Sequence, residues 1–164
     1  MADRLRFGAY GAAACCAAYG SMKLAQALGA TALADKDPLP PELRERLLAR
    51  DPVFVASHWI LACAAVVGVV VALSTVRRWG SVAPRPLQLL ITWPLGIVMI
   101  ARAVGMVGFG FVGDVSVLTG ARPVSALETE LARWDLFLWS PFFLIWGICW
   151  TTTAVRLLKP AVRP

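Results

Sequence analysis

Histidine occurs once in this 164-residue chain, at His58. A bis-histidine haem is therefore excluded, and a metal site of the usual His/Cys kind is disfavoured. The four cysteines, Cys15, Cys16, Cys63 and Cys149, include no Cys-x-x-Cys pair, and all lie in apolar stretches. They read as small packing residues, which disfavours four-helix thiol–disulfide chemistry. Charge is scarce too, at 16% of the residues. No paired carboxylates, Ser/His/Asp set or metal cluster stands out along the chain. No cofactor and no metal is expected.

What fills the chain instead is apolar. Hydrophobic residues make up 59% of it, and the mean hydropathy is +0.68. Soluble domains are usually ~45–50% apolar. A chain this short has too few polar residues to cover so large an apolar core. Four long runs account for the excess: Phe7 to Ala32, Pro52 to Val76, Pro86 to Val112 and Trp134 to Val155. Each meets the ~20 residues needed to cross hydrocarbon as a helix. The expected fold is all-α, a polytopic transmembrane four-helix bundle forming a single integral membrane domain over residues 1–164. The alanines from Ala12 to Ala18 resemble a signal-peptide cleavage region, but no polar mature domain follows, so the first run is expected to remain as a helix.

The connections carry their own signals. Asp37 to Pro41 is a Pro-rich turn, and Glu42 to Arg50 reads as a short amphipathic helix with Leu43, Leu47 and Leu48 on one face. Pro52 suits a first helical turn. Ser125-Ala126-Leu127-Glu128 is a capping box, which starts a helix well before the fourth run. Pro94 and Pro141 predict kinks in the third and fourth helices, the latter near Ser140. Small residues Ala65, Gly68 and Ala72, and Gly105, Gly108, Gly110 and Gly113, allow close backbone approach.

The net charge is +6, yet the basic residues flank the apolar runs rather than forming a groove. Nucleic acid is therefore not an expected partner; the lipid bilayer is. Arg4, Arg6, Arg77, Arg78, Arg85, Arg156, Lys159 and Arg163 fall on one side. Lys36, Arg44, Arg46, Arg50, Arg122 and Arg133 fall on the other, with nearly all the acids. The first set is denser, so both termini are expected in the cytoplasm. The excess of Arg over Lys, with abundant Ala and Val, points to a GC-rich bacterial genome and to a bacterial cell membrane.

With that orientation, Arg102 lies roughly 14 Å and Lys23 roughly 13 Å below the outer surface. Gln26 shares the helix face of Lys23. His58 enters from the second run and Asp135 from the fourth. Lys23, Gln26, His58, Arg102 and Asp135 are thus candidate ligand-binding residues of an outward-facing polar cluster. A charge at this depth needs a partner. Asp135 is the preferred counter-ion of Arg102 in a structural pair, ahead of Asp114 and Glu130. Trp139, Trp146 and Trp150, with Phe142 and Phe143, line one side of the fourth helix, as lipid-facing or core aromatics or as a groove for an isoprenoid or acyl chain.

Arg102-Ala103-Val104-Gly105, a later Asp135, and Trp139-Ser140-Pro141 together resemble the small bacterial membrane family named domain of unknown function 3995. The resemblance implies four helices and no established activity. The family tends to place His and Trp before Ala-Leu-Gly-Gly; here Lys23 and Gln26 precede Ala27-Leu28-Gly29-Ala30. An acid expected after the Arg-Ala-Val-Gly motif is Met106 here.

Three functions follow as expectations. The first is a non-enzymatic protein that packs against a membrane-protein partner or a second copy of itself. The second is a binding protein or transporter for an anionic amphiphile such as a lipid. The third is an intramembrane enzyme using His58 or Asp135 for proton transfer. The missing catalytic set argues against the third.

Overall fold

The computed structural model describes residues 2–31, 36, 39, 41–106, 110–121 and 124–158, with backbone alone for 2–5, 41 and 81. Among these residues every regular element is helical. The outer end of the first run at Ala32, most of the Pro-rich turn, Gly108, and the basic residues Arg122, Lys159 and Arg163 lie outside the described residues.

Helix α1 spans Ala2–Ala27 and stops earlier than the apolar run suggests. Gly29 takes a left-handed φ of 104°, and the Ala30 N–H reaches back to Ala25 O at 2.8 Å. That glycine-closed turn satisfies carbonyls the helix end leaves open. Arg50 adds its guanidinium there, donating to Ala27 O at 3.3 Å and Leu28 O at 3.4 Å. A cation suits a helix C-terminus, where the dipole is negative.

The short α2 is Pro41–Leu48. Leu47 is buried, but Leu48 is 51% exposed and so leaves the apolar face expected for it. Helix α3, Pro52–Ser74, opens as its sequence predicts. Asp51 Oδ1 accepts from the Val53 and Phe54 amides, both at 3.0 Å, while Pro52 needs no partner for a missing N–H.

The third apolar run is not one helix. Helix α4 covers Arg85–Val104, continues through Pro94, and ends where Gly105 adopts a φ of 103°. A Cβ at Gly110 would strike the Gly105 backbone, so both glycines are needed where the chain folds back. Helix α5, Phe111–Leu118, then returns. Apolar composition continues across this break, while the left-handed Gly105 ends α4. Gly113 has no close neighbour.

Helix α6 is Ala126–Trp134, and its capping box forms: Glu128 N donates to Ser125 Oγ at 3.2 Å, and Ser125 N to Glu128 Oε2 at 2.8 Å. A π turn, Asp135–Trp139, joins it to α7, Ser140–Leu158. The fourth helix is therefore a continuous rod, Ala126–Leu158, of 33 residues, longer at both ends than the run from Trp134 to Val155. The irregularity expected near Ser140 takes the form of this π turn. Pro141 lacks an N–H and its ring crowds the carbonyl four residues back. The Ser140 N–H bonds to Asp135 O, one residue further than in an α-helix.

Helices α3, α4 and the α6–α7 rod are long and apolar enough to cross a membrane. Helix α1 is 26 residues long, but its Gly, Tyr and Ser residues and Lys23 make it less apolar. It packs on α3 and on α7, and α7 packs on α4. The order in space is thus α3, α1, α7, α4. Among the described residues α3 and α4 make no extended contact with each other.

Small residues set these approaches. Ala62, Ala65, Gly68 and Ala72 of α3 are buried, and a Cβ on Gly68 would reach Cys16 Sγ of α1 at 2.7 Å. Between α4 and α7, a Cβ on Gly147 would meet Ile100 N at 2.9 Å and Gly96 O at 3.0 Å. Close backbones give van der Waals contact where lipid removes the hydrophobic drive between helices. The core beneath them is aromatic: Trp146 stacks on Phe143 at 6.0 Å and tilts against Tyr19 at 5.3 Å.

Candidate ligand-binding site

The row of four helices leaves a slot between α3 and α4, floored by α1 and α7. Its deeper part is an apolar cavity of about 220 Å³, with walls that include Cys16 and Tyr19, Ala64 and Gly68, Leu95 and Met99, and Trp146 and Trp150. All four long helices contribute. A second cavity of about 270 Å³ lies at the end where α1 stops and α3 begins. Its walls carry Lys23, His58, Arg102, Ser57, Trp139 and Tyr19. Tyr19, Leu61 and Phe143 line both cavities. One end of the slot is cationic and polar, and the remainder is apolar.

Each polar side chain is held in place. Lys23 is only 6% exposed; its Nζ donates to Gln26 Oε1 at 3.0 Å and lies 5.5 Å from the Tyr19 ring centre. Gln26, one turn on, does not line the cavity. Arg102 grips Asp135 with both terminal nitrogens, Nη2 to Oδ1 at 2.7 Å and Nη1 to Oδ2 at 3.3 Å. Its guanidinium carbon is 5.1 Å from the Phe143 ring centre. Asp135 is fully buried behind Arg102, and Ser140 Oγ donates to its Oδ2 at 2.8 Å. The π turn is what brings Asp135, Trp139 and Ser140 to this end together.

His58 is 3% exposed. Its Nδ1–H donates to the Phe54 carbonyl one turn back, at 2.8 Å, which is the backbone contact a buried helical histidine often makes. That bond fixes the ring and leaves Nε2 on the other side. Nε2 is buried and has no hydrogen-bond partner among the described residues. A buried polar nitrogen left unmet is costly, and here it sits in the wall of a cavity.

The chain order hides a further member of the cluster, Asp114. The fold-back at Gly105 and Gly110 carries α5 against the π turn and buries Asp114 to 1% exposure. Neither carboxyl oxygen has a hydrogen-bond partner among the described residues. Burial, together with the neighbouring Asp135 carboxylate, pushes its pKa up to about 7, against the opposing pull of the Arg102 guanidinium. In its protonated form Asp114 adds no negative charge beside Asp135.

The structure thus brings Lys23, His58 and Arg102 to one cavity wall, and places Gln26 and Asp135 in support of them. Sequence reasoning did not single out Tyr19 or Ser57, named Ser140 only as part of a motif and a kink, and ranked Asp114 behind Asp135. The glycine pair at Gly105 and Gly110 was the available signal for Asp114. Trp139 also has a role beyond apolar packing: its indole N–H donates to Lys36 O at 2.6 Å, holding Lys36 at this end.

Comparison with known proteins gives one match. Residues 16–150 match the family model described as "Protein of unknown function (DUF3995)". No curated protein and no solved structure matches the chain.

Proposed function

The chain belongs to this family of unknown function, and we propose that it is a bacterial cell-membrane protein that binds an anionic amphiphile such as a lipid in the slot between α3 and α4. In this reading α1 is the fourth spanning helix, and both termini face the cytoplasm. The observation that carries it is the pair of cavities sharing Tyr19, Leu61 and Phe143, one lined by Lys23, Arg102 and His58, the other by apolar residues. An anionic head needs the first and a hydrocarbon tail the second. The unmet His58 Nε2, an acceptor in the tautomer that donates from Nδ1, supports a ligand whose head also carries a donor such as a hydroxyl.

The alternatives draw less support. Partner packing was inferred from small-residue faces, and Ala65, Gly68 and Ala72 are already covered within the chain. Proton transfer by Asp135 would need access that Arg102 and Ser140 occupy. Native mass spectrometry of the protein from mild detergent tests the proposal. An anionic lipid should be retained. Lys23→Ala should lower its occupancy about fivefold, the worth of one basic contact. Ala64→Phe, which narrows the apolar cavity from its edge, should lower it as well. No retained anion, or equal retention by both variants, would sink the idea.

A further inference from the structure

The opposite end of the molecule holds a second polar cavity, of about 410 Å³, where α3 and α7 end and α4 begins. Four arginines line it: Arg77 and Arg78 from the connection after α3, Arg85 from the first turn of α4, and Arg156 from the last turn of α7. Ser74, Thr75 and Gln88 add hydroxyl and amide groups. Among the described residues no acid lines it.

The cavity is built rather than left over. Gln88 is 6% exposed and ties the connection to α3, its Nε2 donating to Gly80 O at 3.2 Å and Ser74 Oγ at 3.4 Å. A Cβ on Gly80 would strike the Ser74 carbonyl, so the turn needs glycine to lie this close. Arg77 rests against Tyr10, 5.8 Å from its ring centre. Arg156 Nη1 is buried and has no hydrogen-bond partner among the described residues. Snorkelling anchors on a helix end normally reach water, whereas this guanidinium nitrogen is shielded from it. Guanidinium groups from three separate elements, one with an unmet N–H, match the oxygens of a phosphate.

We infer that this arginine cavity binds a phosphate-bearing anion, independently of the slot between α3 and α4. Its position fits a lipid headgroup. It lies where spanning helices end, beside Trp79, which is 53% exposed at the level where indole rings favour the membrane interface.

Binding to the purified protein in neutral detergent tests this with three probes: inorganic phosphate, dihexanoyl phosphatidic acid and dihexanoyl phosphatidylcholine. Phosphatidic acid should raise the unfolding temperature and phosphatidylcholine should not. Arg77→Gln with Arg85→Gln, both at exposed positions, should weaken phosphatidic acid binding about thirtyfold. These measurements are repeated on a background of Lys23→Ala with Ala64→Phe, which weakens the slot between α3 and α4, and phosphatidic acid should still protect that background. Arg156→Gln reports on the unmet nitrogen, and the exposed double variant covers the case in which it folds poorly. Protection by phosphatidic acid alone assigns a headgroup, and equal protection by inorganic phosphate assigns a free ion. Protection by neither anion overturns the inference. So does protection that survives the arginine substitutions on the background with the weakened slot.

Discussion

At the scale of residues, the Arg102 cluster is a balance of buried charge. Arg102 and Asp135 neutralise one another, and Ser140 supplies a further bond. Removing one partner of a buried pair costs about 3–5 kcal/mol, because the other charge stays buried and unpaired. Arg102→Ala and Asp135→Ala should each unfold more readily in detergent, and the double variant should lose less than their sum. Additive losses would mean the two side chains act separately. Asp114 makes stability depend on pH. Folded, it titrates near pH 7; unfolded, at ~4. Between these values the folded state holds a proton that the unfolded state has released. Stability therefore falls as pH rises through that window and levels off above it. Asp114→Asn keeps the neutral form and should flatten the slope in a thermal series across about pH 5 to 8. Identical slopes in both proteins would remove Asp114 from the account. Arg102 and Lys23 were legible in the sequence because a charge inside an apolar run demands a partner. Asp114 was less so, because its burial depends on a chain reversal that hydropathy does not register. The unmet side of His58 was not legible at all, since it depends on how α3 is rotated.

At the scale of elements, helix starts were written plainly and helix interruptions were not. Asp51-Pro52 and the Ser125–Glu128 box are local chemistry, complete within four residues, and both form. The third run kept its apolar character through Gly105, so length argued for one helix while one backbone angle made two. Gly105→Ala should cost about 1–2 kcal/mol, the penalty of a side chain in left-handed backbone. Gly113→Ala, within α5 and without close neighbours, should be neutral or slightly stabilising. Thermal unfolding of the two variants side by side checks the contrast; equal behaviour would mean that the turn, not the residue, ends α4. Pro141 announced an irregularity without its form. Asp135 and Trp139 are the first and last residues of the π turn, at the same end as Arg102.

At the scale of the whole molecule, the sequence told that helices approach closely but not which ones. Ala65, Gly68 and Ala72 marked a thin face, and only packing assigns that face to α1. The depths estimated for Lys23 and Arg102 agreed, and both reach one cavity; depth is a property of sequence position, while rotation about the axis is not. The spatial order α3, α1, α7, α4 departs from chain order, and so, of the four long helices, the two joined by the shortest link stand at opposite edges with a gap between them. With the helices spanning a bilayer as proposed, a gap between two of them faces sideways. For a ligand of the proposed kind, a sideways mouth means arrival within the plane of the bilayer, tail in oil throughout. Its supply is then governed by two-dimensional diffusion, and its effective concentration is a mole fraction of the surrounding lipid rather than a molarity in water.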